Sequence, residues 1–260
     1  MVWLKIGVEV ATLGVPLKRA LPLAAQLGAD GVEISARGEL APGQLSQTGM
    51  RQLRKMLEDH RLAVAAVAFR TRRGYDTPAD LDRRVEATKE ALRFAYQLGC
   101  PVVVNHIGQV PAEADNQTWE LLAEVLTDLA LYGLHVGAVL AAETGTESGP
   151  QLARLLEKLP EAGLGVDFNP GNLIANGHNP LEAVEALGPW ILHVHTTDGV
   201  CDLARRRGQQ VPVGQGAVDF PALLGALGEY DYRGYFTVGD QRTEDPAEGI
   251  AQVIRFLRRL

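Results

Sequence analysis

Eight short runs of apolar and β-branched residues recur along this chain, and longer stretches with helical periodicity lie between them. The runs are KIGVEV (5–10), DGVEIS (30–35), LAVAAVAF (62–69), PVVVNHI (101–107), HVGAVLAAE (135–143), LGVDF (164–168), ILHVHTT (191–197) and GYFTVG (234–239). One strand and one helix every ~30 residues is the spacing of a closed α/β barrel. The sequence therefore predicts a (β/α)8 TIM barrel as one domain over residues 1–260. An open doubly wound sheet is the rival, and it would carry a glycine-rich dinucleotide turn after the first strand. That turn reads VATLGVPLK and has no GxGxxG.

Helix punctuation fits the same layout. LKRALPLAAQLG ends in a glycine suited to a helix C-terminus, and TPADLDRRVEATKEALRFAYQLG opens on Thr-Pro and ends in glycine too. Asn116, Asp219 and Asp245 stand where N-caps belong, because a short oxygen-bearing side chain can accept from the free amides of a first turn.

The bulk numbers remove some functions. Net charge is −7 with no long block of Lys or Arg, which argues against a nucleic-acid partner because that surface must neutralise phosphates. No uninterrupted apolar run reaches membrane-spanning length, and the N-terminus lacks a signal-peptide pattern. Cys100 and Cys201 are far apart, in no CxxC spacing, which suits a reduced cytoplasmic setting.

In a barrel, chemistry gathers at the C-terminal ends of the strands. The polar residues expected there are Glu9, Glu33, Asn105 with His106, Glu143, Asp167, His193 with His195 and Asp198, and Asp240. Glu143, Asp167 and His195 come from consecutive strands. Two carboxylates and an imidazole make a mixed O/N donor set, suited to Mn, Zn, Co or Mg without selecting one. His193 shares a strand face with His195 but sits one step deeper, as a support behind a ligand or a group near the substrate. His106 is a candidate substrate contact, whereas His60, His135 and His178 read as structural or surface residues. Two arginine clusters, Arg70 with Arg72 and Arg73, and Arg205 with Arg206 and Arg207, can grip a phosphate or carboxylate bidentately. The second cluster occupies the better place for a barrel anion site, and Arg70 and Arg205 represent the two as candidate substrate contacts.

The ordered motifs ETG, VDFNPGNL, HVHTTDG, VPVGQGAVDFPALLGAL and RGYFTV resemble the xylose isomerase-like TIM-barrel superfamily, in its sugar phosphate isomerase/epimerase branch. The resemblance runs along essentially the whole chain. It implies one divalent metal held by a strand-5 Glu, a strand-6 Asp and a strand-7 His, which fall on Glu143, Asp167 and His195, and by a strand-8 Glu. It also implies a small carbohydrate-like substrate, proton transfer next to a carbonyl with Glu143 as ligand and base, and a homo-oligomer.

Two positions depart from the pattern. Pro170 stands where a His often follows the Asp, and Asn169 or Asn172 is expected to fill that space. Gly239 stands where strand 8 should supply its Glu. The replacement candidates are Asp240, as a catalytic acid if the strand bulges there, a water, or Glu147. The reading implied by the resemblance is a metal-dependent isomerase or epimerase of a small sugar, sugar acid or polyol derivative. The alternatives are a dehydratase or lyase on a similar substrate, and a non-catalytic carbohydrate- or metal-binding barrel. A DNA-repair endonuclease of this fold is disfavoured by Pro170, Gly239 and the acidic charge.

Overall fold

The computed structural model describes residues 4–113, 117–202 and 207–260. The barrel strands are β1 (Lys5–Glu9), β2 (Gly31–Ser35), β3 (Ala63–Ala68), β4 (Val102–Asn105), β5 (Val139–Glu143), β6 (Leu164–Phe168), β7 (Ile191–His195) and β10 (Tyr235–Val238). They close in the order β1-β10-β7-β6-β5-β4-β3-β2, every pair parallel. A parallel strand in such a barrel is covered on both faces, so it reads as a nearly continuous apolar run. β4 and β6 are buried at every residue.

The outer layer is α1 (Leu17–Gln26), α2 (Gln47–Asp59), α3 (Leu81–Gln97), α4 (Gln117–Val136), α5 (Gly149–Leu156), α6 (Pro170–Ala175), α7 (Pro180–Leu187), α8 (Phe220–Glu229) and α9 (Pro246–Leu257). α2 buries Met50, Leu53 and Leu57, and α9 buries Ile250, Ile254 and Leu257. That spacing puts one apolar stripe on each helix against the barrel wall. Asp219 caps α8 through Ala222 N at 3.0 Å, and Asp245 caps α9 through Ala247 N at 3.0 Å. The Asn116 cap and Trp3 lie outside the described residues.

Three expectations are corrected. His135 and Val136 belong to the end of α4, so the fifth strand starts at Val139. α3 starts at Leu81 rather than at the Thr77-Pro78 pair. The segment after β7, where none of the eight expected strands falls, folds back as an antiparallel hairpin of β8 (Asp198–Asp202) and β9 (Arg207–Val211).

Register brings the functional residues to one level. Glu9 pairs with Glu33, Thr237 with His195, His193 with Asp167, and Asp167 with Glu143. Neighbouring parallel strands thus place their acids and imidazoles in one ring of side chains at the C-terminal mouth.

Candidate active site

Asp167 is the hub. It lies fully buried near the end of β6, and its Oδ1 receives His193 Nδ1 at 2.9 Å and His195 Nδ1 at 2.8 Å. A carboxylate only accepts, so each Nδ1 carries the proton in these contacts. The other nitrogen of His193 meets Thr237 Oγ1 at 2.8 Å. Both nitrogens are therefore occupied and the ring is completely buried. His193 stands behind the site and does not face a substrate.

His195 Nε2 points the other way, 3.0 Å from Glu33 Oε2. This is an ion-pair contact off the hydrogen-bonding direction, so both Glu33 oxygens lack a hydrogen-bond donor among the described residues. Burial opposes a charge on His195. The Asp167 and Glu33 carboxylates together outweigh it and hold the ring protonated well above the ordinary histidine range. The same pairing answers the burial of the acids. Burial raises Asp167, but His195 and His193 pull it below the usual carboxylate range, and His195 does the same for Glu33.

Glu143 ends β5. Its Oε1 accepts from Asn169 Nδ2 at 2.8 Å and from Asn172 Nδ2 at 3.4 Å, and its Oε2 takes Arg70 Nη1 at 3.1 Å. Asn169 also caps α6 by accepting from Asn172 N at 3.0 Å, with Pro170 opening the first turn. The NPGN segment therefore has a local task, starting a helix, and aims two amides at Glu143. Asn172 is held in turn by Gln210 Nε2 of β9 at 2.7 Å. Arg70 also sits 3.3 Å from His195 Nε2.

Two acids noted at strand ends but given no role in the sequence reading enter this group. Glu33 is one. Glu9 is the other, at the end of β1. Burial and the nearby Glu33 carboxylate push the Glu9 acid up to about 7, against the pull of His195 and Arg70. An ideal Cβ on Gly239 would lie 2.5 Å from Glu9 Oε2. The signal was the acid at the end of each strand; what could not be read was which side chains meet where the first strand closes against the last.

Other sequence-predicted residues fall elsewhere. Asp240 is exposed, and its Oδ1 accepts from Arg242 N at 2.7 Å. No described contact joins it to Glu143, Asp167 or His195. Glu147 is buried with Thr146 as hydroxyl partner, and burial raises its acid to about 7. It is not part of the acid–histidine group. Asp198 is a loop organiser. It accepts from the amides of Gly199 at 2.8 Å, Gly214 and Gly216 at 2.9 Å and Val218 at 3.1 Å. The VGQG turn thus spends its two glycine amides on Asp198, and a Cβ at Gly216 would collide with that carboxylate at 2.1 Å. Asn105 pins the loop after β3, receiving Thr71 N at 3.0 Å and donating to the Tyr75 hydroxyl at 3.0 Å.

A cleft of about 420 Å³ opens above Glu143, with Arg72, Arg73, His106, Thr146 and Asn172 among its walls. His106 meets the Thr71 carbonyl through Nε2. Of the two arginine clusters, the one after β3 reaches this cleft. Arg205 and Arg206 lie outside the described residues, as does the side chain of Arg207. A larger groove of about 720 Å³ lies on the outer wall, between α2 and α3, away from the acid–histidine group.

The donor set fits a divalent cation. Ligand atoms of Glu143, Asp167 and His195 lie within 4.8 Å of one another, and so do those of Glu33, His193 and His195. Glu33 is fully buried with no hydrogen-bond donor among the described residues, and in the metal-free group the His195 ring is the cation that balances it.

A closed parallel barrel with acids and imidazoles at its C-terminal mouth defines a class of α/β-barrel proteins built to carry chemistry there. The chain belongs to the xylose isomerase-like TIM barrel family, whose model matches residues 21–260. An inosose dehydratase of Bacillus thuringiensis (strain Al Hakam) is 25% identical over 225 residues, which cover 75% of this chain and 74% of the relative. The crystal structure of a xylose isomerase domain protein from Planctomyces limnophilus is similar at TM-score 0.87 and 27% identity, over 99% of this chain and 97% of that one. A 3-keto-D-glucoside 4-epimerase from E. coli matches at TM-score 0.76 over 99% and 100% of the two chains, and at 17% identity it shares the fold alone. No helix among the described residues is long and apolar enough to cross a membrane.

Proposed function

We propose that the protein is a metal-dependent enzyme that removes a proton next to the carbonyl of a small keto sugar, sugar acid or keto polyol, as an isomerase or epimerase. The observation that carries this reading is Glu143. It lies in ligand reach of Asp167 and His195, and it also opens onto the cleft. Asn169 on one oxygen and Arg70 on the other hold it in place. Glu143, Asp167 and His195 would hold the ion, with Mn, Zn, Co and Mg all compatible with the donors. When bound, the ion supplies polarisation of the carbonyl and stabilisation of the enediolate charge.

The chain's own residues do the rest. Glu143 takes the proton. Arg70 is placed to hold Glu143 and to balance negative charge at the mouth. His193, wedged between Asp167 and Thr237, keeps the Asp167 carboxylate aimed. Arg72, Arg73 and His106 offer polar contacts to hydroxyl or acidic groups of the substrate. A cleft of about 420 Å³ suits one monosaccharide-sized molecule.

Dehydration is the second reading, favoured by the inosose dehydratase among the relatives. It starts with the same proton removal and ends with loss of a hydroxyl as water.

One experiment tests both. Protein loaded separately with each of the four metals is incubated in deuterated water with D-fructose, D-psicose, D-tagatose and inosose. Deuterium on the carbon beside the carbonyl supports the reading, and an enone absorbance in place of a labelled sugar selects the dehydratase. No label and no enone with any pair, from protein that does bind metal, overturns it.

A further inference from the structure

We infer that Glu9 is the second carboxylate of this site, facing Glu143 across the barrel axis and exchanging a proton with the opposite side of the bound substrate. The inference rests on the proton-abstraction reading above. In the closed order of strands, β1 and β5 are four places apart in either direction, so they are opposite walls. Glu9 and Glu143 are the last residues of those two strands. They therefore stand at the same end of the barrel with the axis between them.

Gly239 makes this placement fit. Its ideal Cβ would lie 2.5 Å from Glu9 Oε2, closer than real Cβ atoms come. Any side chain at 239 would push the Glu9 carboxylate aside, so the glycine and the acid fit as a pair across the β1–β10 seam. This seam is continuous in register, with Val8 paired to Val238 one step below. The Glu9 carboxylate also differs from Glu143 and Asp167 in having no hydrogen bond among the described residues. Glu143 is held by Asn169 and Arg70, and Asp167 by two imidazoles. Thr12 donates only to the Glu9 backbone carbonyl. Among the described residues nothing fixes the Glu9 oxygens, so they are available to a ligand. Asp240 is turned away and spends its carboxylate on Arg242 N.

The chemistry balances without an oxidant. The C–H bond beside the carbonyl breaks, its proton goes to Glu143, and the electron pair moves onto the carbonyl oxygen. The pair returns to carbon as a new C–H bond forms with the proton of the Glu9 acid on the other face. Glu143 ends protonated, Glu9 ends ionised, and exchange with water resets both. In the dehydratase variant the Glu9 proton goes instead to the departing hydroxyl, which leaves as water.

Glu9→Gln, Gly239→Ala and the double variant Glu9→Gln/Gly239→Glu test this, each loaded with Mn²⁺. Mn²⁺ affinity is read from the free-ion EPR signal, deuterium exchange and product formation from the keto sugar that wild type labels fastest. Glu9→Gln is expected to bind Mn²⁺ within threefold of wild type, to keep exchange through Glu143, and to lose product formation at least 100-fold. Gly239→Ala should reproduce that split by displacing the carboxylate, and the double variant should regain at least tenfold of the lost turnover. Product formation unchanged in Glu9→Gln overturns the inference and leaves the proton-abstraction reading standing. Loss of Mn²⁺ binding in Glu9→Gln also overturns it, because Glu9 would then be part of the ion's cage. Absence of exchange and of enone in wild type loaded with each of the four metals brings down the proton-abstraction reading, and this inference with it.

Discussion

His195 presents its Nδ1 to both oxygens of Asp167, at 2.8 Å from each. A single imidazole edge thus covers a whole carboxylate, and its opposite edge lies against Glu33. Charge on the ring is compensated from two sides, which a lone buried histidine could not sustain. With Nδ1 donating to Asp167, the ring would have to release a proton before it could ligate an ion.

Asp167 is the first position to test. In Asp167→Ala, Mn²⁺ or Zn²⁺ content after loading should drop from about one equivalent to under about a tenth, because the central donor and the anchor of both imidazoles are lost together. Elemental analysis of dialysed protein reads this directly. Equal content in variant and wild type would place any bound ion elsewhere.

His193 is a positioning residue, and its effect should be graded. In His193→Ala, Asp167 loses one of its two imidazole partners while Glu143, Asp167 and His195 remain. Metal affinity should weaken about 10- to 100-fold with stoichiometry preserved, the usual effect of removing an outer partner. Titration with Mn²⁺ measures it. Unchanged affinity would reduce His193 to a packing residue.

Asp198 holds four backbone amides with one carboxylate. Asp198→Ala leaves those donors to find water or go unpaired, a loss of about 3 kcal/mol given the strength of hydrogen bonds to ionised acceptors. For a chain of this size that corresponds to a melting temperature lower by about 6–10 °C. Amide exchange at Gly214, Gly216 and Val218 should quicken most. Asp198→Asn, which keeps an acceptor, should lose less.

Glu147 predicts a pH dependence. Burial raises its acid in the folded protein to about 7, above its ordinary value of 4.5. The folded state therefore holds the proton more tightly than the unfolded chain. The stabilisation is complete below pH ~4.5 and declines as pH rises through about 7. Glu147→Gln removes the cost of burying the charge, so it should raise stability at pH 8 by at most about 3 kcal/mol and change it little at pH 5. Chemical denaturation at the two pH values checks this. A gain of equal size at both would mean that the carboxyl does not titrate in this range.

Much of this was legible in the sequence. The eight strands could be read because a doubly covered parallel strand must be apolar throughout, and the helices between them because one face must meet the barrel. The Glu143, Asp167 and His195 group followed, since strands adjacent in sequence from β5 to β7 are adjacent in the barrel and their ends share one level. The hairpin after β7 was not legible, because its strands are short and polar and are tied down by Asp198 and α6 rather than by an apolar pattern. Nor could the sequence tell that His193 has both nitrogens engaged, since β10 supplies Thr237 from 44 residues away. The juxtaposition of Glu9 with Gly239 was decided by tertiary structure alone. These residues are neighbours because closing the barrel pairs the first strand with the last, and no local periodicity records which side chains meet across that seam.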